Sequence, residues 1–303
     1  MKQINNFEEK FKNILKIDNL GYKIEKRNND YIYYKEIDDF HNQEEDSGTD
    51  SRFATISNGT AHRAPIWMWG TTFRFYNFLK WFKKSHLTVV DMGCDKAFIR
   101  RMIHSGTYYT GTNYVGLDLR VSSLRKASDK MPNCNNPAAF ITHDLHDGLP
   151  FLRKKSVDII LCMEVIEHLK EENGRFLMKE MYRVLKPGGL IYLSQPNHDP
   201  TYWYAIKKYR GIGYPFHIRE YTVKEFIPII KEYNFELLDM FGNVANRKRL
   251  INELKSKKLN NQLKLYNRLC DIMGHEIPTQ VIGQMHLNAC GGVVYILKKP
   301  EEK

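Results

Sequence analysis

The alternation of apolar and polar positions changes character along the chain. Residues 1–60 are polar and irregular, with two exceptions. Phe7, Phe11, Ile14 and Leu15 have helical spacing, and Tyr31–Tyr34 has the texture of a short strand. His41–Asp50 (HNQEEDSGTD) reads as an acidic loop. From Pro65 aromatic residues crowd the chain as far as Phe82, and the spacing of Trp69, Phe73 and Tyr76 predicts a helix with a wide apolar face.

Beyond that point apolar runs alternate with amphipathic segments. LTVVDMG (87–93), NYVGLDL (113–119), AAFITHDL (138–145), SVDIILCMEV (156–165) and GLIYLSQP (189–196) predict buried strands. Helices are predicted between them over 96–104, 121–130 and 171–185. Strands that alternate with helices pair in parallel through right-handed crossovers, so the pattern predicts an α/β, doubly wound sheet. Lys186-Pro187-Gly188-Gly189 stops the last of these helices. A further helix is predicted over Thr222–Tyr233, with Thr222 as its cap and Glu225 at the capping-box position. Phe235–Phe241 and GGVVYILKK (291–299) predict two more strands. Between them lies an insertion, 243–290, whose segment Arg247–Met273 carries apolar residues at helical spacing.

The 303 residues are 42% hydrophobic and 13% aromatic, enough for a sizeable core and against global disorder. No apolar run of membrane-spanning length occurs, and the first residues lack the apolar core of a secretory signal. Cysteines at 94, 134, 162, 270 and 290 form no C-x-x-C pair. That pattern argues against a disulfide framework or a zinc cluster and for a reducing compartment, so a cytoplasmic location is expected. The net charge of +11 is uneven: residues 1–60 hold 9 basic and 12 acidic groups, whereas 246–272 hold 8 basic and 2 acidic. A basic body suits an anionic partner, nucleic acid included, although a composition rich in Lys, Asn and Ile produces the same balance.

Ligands of such a sheet bind beyond the carboxyl ends of its strands. Three of those ends carry acids: Asp91, Asp118 and Asp144. Asp118 is placed to accept from the two hydroxyls of a ribose, and Asp144 from an exocyclic amine of adenine. The G-x-G-x-x-G of dinucleotide sites is absent, so the expected ligand is a nucleoside without a bulky pyrophosphate.

The segments VVDMGCDKA (89–97), YVGLDL (114–119), THDLHDGLPF (142–151), SVDIILCMEVIEHL (156–169), MYRVLKPGGLIYLSQPN (181–197) and HIREYT (217–222) occur in an informative order. They resemble the class I S-adenosylmethionine-dependent methyltransferases, of the small-domain type found in quinone, lipid and sugar pathways. The string E-V-I-E-H-L ahead of R-V-L-K-P-G-G is the specific part. The resemblance implies a Rossmann-like, mostly parallel seven-stranded sheet whose last strand is antiparallel. It would occupy residues 66–303, with 1–65 as an N-terminal extension and 243–290 as a helical insertion.

The same resemblance implies S-adenosyl-L-methionine as cofactor. Asp91, Gly93 and Cys94 would lie against its methionine part, Asp118 would hold the ribose, and Leu119 would sit beside the adenine. Asp144 and Leu145 would hold the adenine edge. Met163 and Glu164 would line the pocket beneath the methionyl group, with His168 following. One departure stands out: Asp95 and Ala97 replace the glycines of the family's G-x-G. A glycine there often has positive φ, which Asp tolerates better than most residues.

Methyl transfer needs a nucleophile in line with the sulfonium carbon and a place for its proton. His217 and His198 are the candidate bases, since imidazole titrates near neutrality. Tyr202, Trp203 and Tyr204 would wall a substrate cavity or simply pack. Neither the (D/N)-P-P-(Y/F) nor the Pro-Cys of the common DNA base methyltransferases follows the fourth strand. His143 and His146 flank Asp144, but this pattern is weak as a metal motif and no metal is expected. The leading expectation is methyl transfer to an O or N atom of a small or medium metabolite. One rival is a nucleic acid or modified nucleotide, gripped by the basic segment 246–272 and Trp67–Phe82. Another is a non-catalytic binding protein on this fold.

Overall fold

The computed structural model describes residues 9–35, 80, 86–104, 111–132, 134–197 and 217–302. The acidic loop at 41–50, almost all of the aromatic segment 67–82, His198 and Tyr202–Tyr204 lie outside the described residues.

In chain order the strands are Lys23–Arg27 (β1), Asp30–Tyr34 (β2), Thr88–Met92 (β3), Asn113–Asp118 (β4), Ala138–Thr142 (β5), Val157–Met163 (β6), Leu185–Pro196 (β7), Glu236–Ala245 (β8) and Cys290–Lys298 (β9). The helices are Phe98–His104 (α1), Val121–Asp129 (α2), Glu171–Val184 (α3), Val223–Glu232 (α4), Arg247–Ser256 (α5), Asn260–Met273 (α6) and Glu276–Gly283 (α7). All nine strands join one sheet in the order β1-β2-β5-β4-β3-β6-β7-β9-β8. The seven-stranded, mostly parallel sheet expected from the sequence is present within it, and β9 runs antiparallel between β7 and β8.

Every residue of β3 and β5 is buried, as a parallel strand covered on both faces must be. One apolar layer gathers Val90, Val115, Ile160 and Leu193 with Leu177 and Met181 of α3; the other gathers Val89, Tyr114, Ile159 and Leu161 with Ile99 of α1 and Leu124 of α2. Helix α4 begins as its sequence predicts. The Thr222 side chain accepts from the Glu225 N–H, and the Glu225 carboxylate accepts in return from the Thr222 N–H.

Three features differ from the sequence expectation. Residues 23–34 form a hairpin whose second strand pairs in parallel with β5, so part of the 1–65 extension belongs to the same sheet. Arg100 of α1 locks it there by a bidentate ion pair to Asp30, 2.7 and 2.6 Å, with both side chains essentially unexposed. Second, α3 stops at Val184 and the chain turns directly into β7, so Lys186-Pro187-Gly188-Gly189 lies in the irregular start of that strand. Third, the insertion is three helices. Lys258 has a φ of 54°, a left-handed conformation that interrupts the helical run between α5 and α6.

Candidate active site at the strand ends

Parallel pairing brings the carboxyl ends of β3, β4, β5, β6 and β7 to one edge of the sheet. Strand β8 is antiparallel to β9, as β7 is, so its carboxyl end joins the same edge. The loops that leave β3 to β6 at this edge carry sequence-predicted site residues.

The loop after β3 holds the closest backbone approach. Gly93 is exposed with a φ of 66°, and a Cβ there would meet Val165 Cγ2 at 2.9 Å. Asp95 and Ala97 have φ of 44° and 51°. The loop thus keeps the left-handed turns that glycines usually provide, at a steric cost of roughly 1–2 kcal/mol for each residue with a Cβ. Asp95 is anchored by the Ser123 hydroxyl, which donates to Oδ1 over 3.1 Å, and lies 3.4 Å from the Arg120 guanidinium. Cys94 behaves differently from expectation. It is buried, and its Sγ would be 2.9 Å from a Cβ placed on Gly116 of β4, so its thiol faces the core.

At the end of β4, Asp118 accepts from the Asp95 N–H at Oδ2 (3.0 Å) and from the Arg120 N–H at Oδ1 (2.9 Å). A carboxylate has about four lone-pair positions, so two remain for a ligand. Burial pushes its pKa up against the pull of these donors and of Arg120. Leu119, next along, is exposed beside it. Asp91, within β3, is buried and accepts from the Tyr114 hydroxyl over 2.5 Å. Desolvation raises its pKa to about 7, against the hydrogen bond from Tyr114.

Beyond β5, Asp144 caps a one-turn helix, Leu145–Asp147, by accepting from the His146 N–H at 2.9 Å. Its pKa is lowered: burial pushes it up, but the hydrogen bonds and charge of His146 outweigh that. Leu145 packs in the main core, so any ligand contact it makes is through its backbone. His143 is buried between Gly148 O (2.8 Å) and the Tyr22 hydroxyl (3.2 Å), and desolvation lowers its pKa. It does not share a cluster with His146 that would hold an ion.

Met163 ends β6 half-buried, and Glu164 follows with a φ of 56°. The Glu164 Oε1 accepts from Ser194 Oγ of β7 at 2.8 Å, which ties two strand ends together. The next turn, Ile166–His168, brings His168 against His217, with ring centroids 5.0 Å apart and edge to face. The latch is backbone: the N–H groups of Ile218 and Arg219 both donate to the Glu167 carbonyl, at 2.8 and 3.0 Å. His217 Nδ1 is hydrogen-bonded to the Glu220 carboxylate.

Likeness to known proteins decides the class. Residues 90–193 match the methyltransferase domain family model. This segment is a class I S-adenosylmethionine-dependent methyltransferase domain. A probable S-adenosylmethionine-dependent methyltransferase of Mycolicibacterium smegmatis is 27% identical over 154 residues, covering 51% of this chain and 54% of that protein. Sterol 24-C-methyltransferase of Schizosaccharomyces pombe is 28% identical over 159 residues, covering 50% and 40%. A ubiquinone biosynthesis O-methyltransferase of Pseudomonas savastanoi pv. phaseolicola is 24% identical over 120 residues, covering 39% and 48%. The chain therefore spans about half the length of the curated relatives it matches. An S-adenosylmethionine-dependent methyltransferase from Archaeoglobus fulgidus superposes with a TM-score of 0.51 at 15% identity, over 83% of this chain and all of that one. The putative methyltransferase solved in complex with the Haloferax volcanii Trm112 methyltransferase activator gives 0.52 at 16%, over 84% and 96%. At these identities the superpositions speak to the fold.

The residues at this edge are compatible with the S-adenosyl-L-methionine that the sequence resemblance implies. Gly93 lets a ligand lie against the backbone, Asp118 retains acceptor positions, and the left-handed turns at Asp95 and Ala97 preserve the loop's shape without the glycines. Sequence reading did not find Arg120, Ser123, Ser194, Glu167 or Glu220. The first three make side-chain contacts to strand-end residues that follow no spacing rule. The pair Glu167-His168 sits in the recognised string, but only the folded chain shows that His217 meets it.

Proposed function

We propose that the protein transfers a methyl group from S-adenosyl-L-methionine to an O or N atom of a small or medium-sized metabolite. The observation that carries this reading is the strand-end cradle: an exposed left-handed Gly93, with the Asp118 carboxylate one strand over. In this reading Asp91 and Gly93 face the methionine part, Asp118 holds the ribose, Leu119 and Asp144 border the adenine, and Met163 and Glu164 line the floor. The bound cofactor supplies an electrophilic methyl carbon on a sulfonium. The chain's task is then alignment, exclusion of water and handling of the acceptor's proton. The last belongs to the face formed by His168 and His217, which stand beyond Glu164 on the same edge. The relatives' printed names, one an O-methyltransferase and one a sterol C-methyltransferase, support a metabolite acceptor.

Calorimetric titration with S-adenosylmethionine and S-adenosylhomocysteine tests the cofactor half. Micromolar binding is expected for the wild type, with a loss of at least tenfold in Asp118→Ala. A folded wild-type protein that binds neither compound would remove the enzyme reading and leave a non-catalytic binding protein.

A further inference from the structure

Nothing in the sequence pattern called for a metal. The fold nevertheless assembles one compact group of metal-ligating side chains among the described residues: Glu167, His168 and His217, whose ligand atoms all lie within 4.8 Å of one another. We propose that these three side chains bind one divalent first-row transition-metal ion, beside the methyl-donor pocket.

The donor set selects the class of ion. Two imidazoles and one carboxylate suit zinc, manganese, iron(II) or cobalt, and three protein ligands leave positions open for water or substrate. Calcium and magnesium prefer all-oxygen surroundings.

The three ligands are also held in advance of any ion. Glu167 and His168 are adjacent on one tight turn, and His217 comes from a distant segment held to that turn by two hydrogen bonds to the Glu167 carbonyl. The Glu220 carboxylate engages His217 at Nδ1, which makes Nε2 the nitrogen for an ion. A carboxylate behind a ligating imidazole fixes the ring and raises its basicity.

Charge points the same way. Glu167 is wholly buried, where a nearby cation stabilises the ionised carboxylate most. Glu220, hydrogen-bonded to His217 Nδ1, brings a second carboxylate close to the same point. Tetrahedral ligands at about 2.1 Å from zinc lie roughly 3.4 Å apart, so binding asks the side chains to close by up to about 1.4 Å, within the reach of rotamer adjustment.

An oxygen ligand in an open position is acidified by the ion. A hydroxyl acceptor bound there would lose its proton to water near neutral pH. His217 then acts as a ligand, and the general base named from the sequence is not needed.

The test needs no cofactor and no substrate. The whole protein is stripped with chelator, checked for folding by circular dichroism, and titrated with cobalt(II) and with zinc(II). One equivalent of cobalt with visible d–d absorption is expected, displaced by one equivalent of zinc. His217→Ala and Glu167→Gln should each weaken cobalt binding at least 100-fold. Glu220→Gln should weaken it about 10- to 100-fold with the stoichiometry kept, which a merely structural His–Glu contact would not do. Exposed His275→Ala should change nothing. If Glu167→Gln fails to fold, His168→Ala carries the comparison. Absence of stoichiometric binding by folded wild-type protein, or binding unchanged in the His168 and His217 variants, overturns the site. Cofactor titration fails or succeeds separately, so loss of one reading leaves the other standing.

Discussion

Asp91 sits at the carboxyl end of a buried strand, and its environment sets a pH signature. Desolvation holds its pKa at about 7 in the folded chain, whereas an unfolded Asp titrates near about 3.9. Between those values the folded protein keeps a proton that the unfolded chain has lost. Its contribution to stability is therefore full below about pH 4, falls by up to about 1.4 kcal/mol per pH unit as pH rises to 7, and is flat above. Asp91→Asn, which can still accept from the Tyr114 hydroxyl, is expected to remove this component. Urea unfolding of both proteins at pH 5 and 7.5 measures it: the stability difference between the two pH values should shrink in the variant. Equal differences would mean that Asp91 is ionised in the fold. At this scale the sequence was informative wherever position along a strand decided the outcome. Asp91, Asp118 and Asp144 all lie where the polarity pattern places them. It was less informative where a side chain's direction decided. Cys94 and Leu145 share those strand-end loops, yet their side chains turn into the core.

Among elements, the amino-terminal hairpin was legible only in its inner strand, which Tyr31–Tyr34 announced. Its outer strand reads KIEKR and is largely exposed, the charged composition that protects an edge strand from further pairing, so no apolar alternation announced it. Asp30 opens the inner strand and, with Arg100 of α1, forms an ion pair removed from water. Asp30 Oδ1 also accepts from the Ala138 N–H over 2.9 Å, which ties β2 to the start of β5. Such a pair adds little over a well-packed apolar substitute, but breaking it strands a buried charge. Asp30→Ala is expected to cost about 3–5 kcal/mol in denaturant unfolding, and the double variant Asp30→Ala, Arg100→Met to recover a large part of that. A cost below about 1 kcal/mol for the single change would mean that the hairpin is dispensable to the sheet. The central strands and α4 were legible because each carries a local signal, burial on both faces or a capping box. The break between α5 and α6 was not, because apolar residues keep helical spacing across Lys258 while the backbone does not.

For the molecule as a whole, the decisive fact is that the three-helix insertion rises from the site edge of the sheet. Its first helix follows directly from the carboxyl end of β8. The Gln280 amide clamps it there, donating to Ala245 O (2.9 Å) and accepting from Ala245 N (2.8 Å). The insertion has a small core of its own in Leu250, Leu254, Tyr266, Ile282 and Ala289. Its polar face carries Arg247 and Lys248 in a groove with Asn246, Ile251 and Asn252. This is the surface on which a metabolite acceptor and a polynucleotide acceptor make opposite demands. A polynucleotide bound there would have its phosphates neutralised by these cations, and each cation removed would lower the slope of log affinity against log salt by about one. Arg247, Lys248 and Lys255 are exposed and suit reversal to Glu; Arg249 is half-buried and does not. For a metabolite acceptor, single-stranded RNA should bind only weakly at about 150 mM salt, and the triple reversal should leave S-adenosylmethionine affinity unchanged. Fluorescence anisotropy across a salt series decides. Tight RNA binding whose salt slope falls by about three in the triple variant would move the acceptor from metabolite to nucleic acid. The proposed cofactor cradle would be untouched, because the loops after β3 to β6 that form it in this reading contain no residue of the insertion.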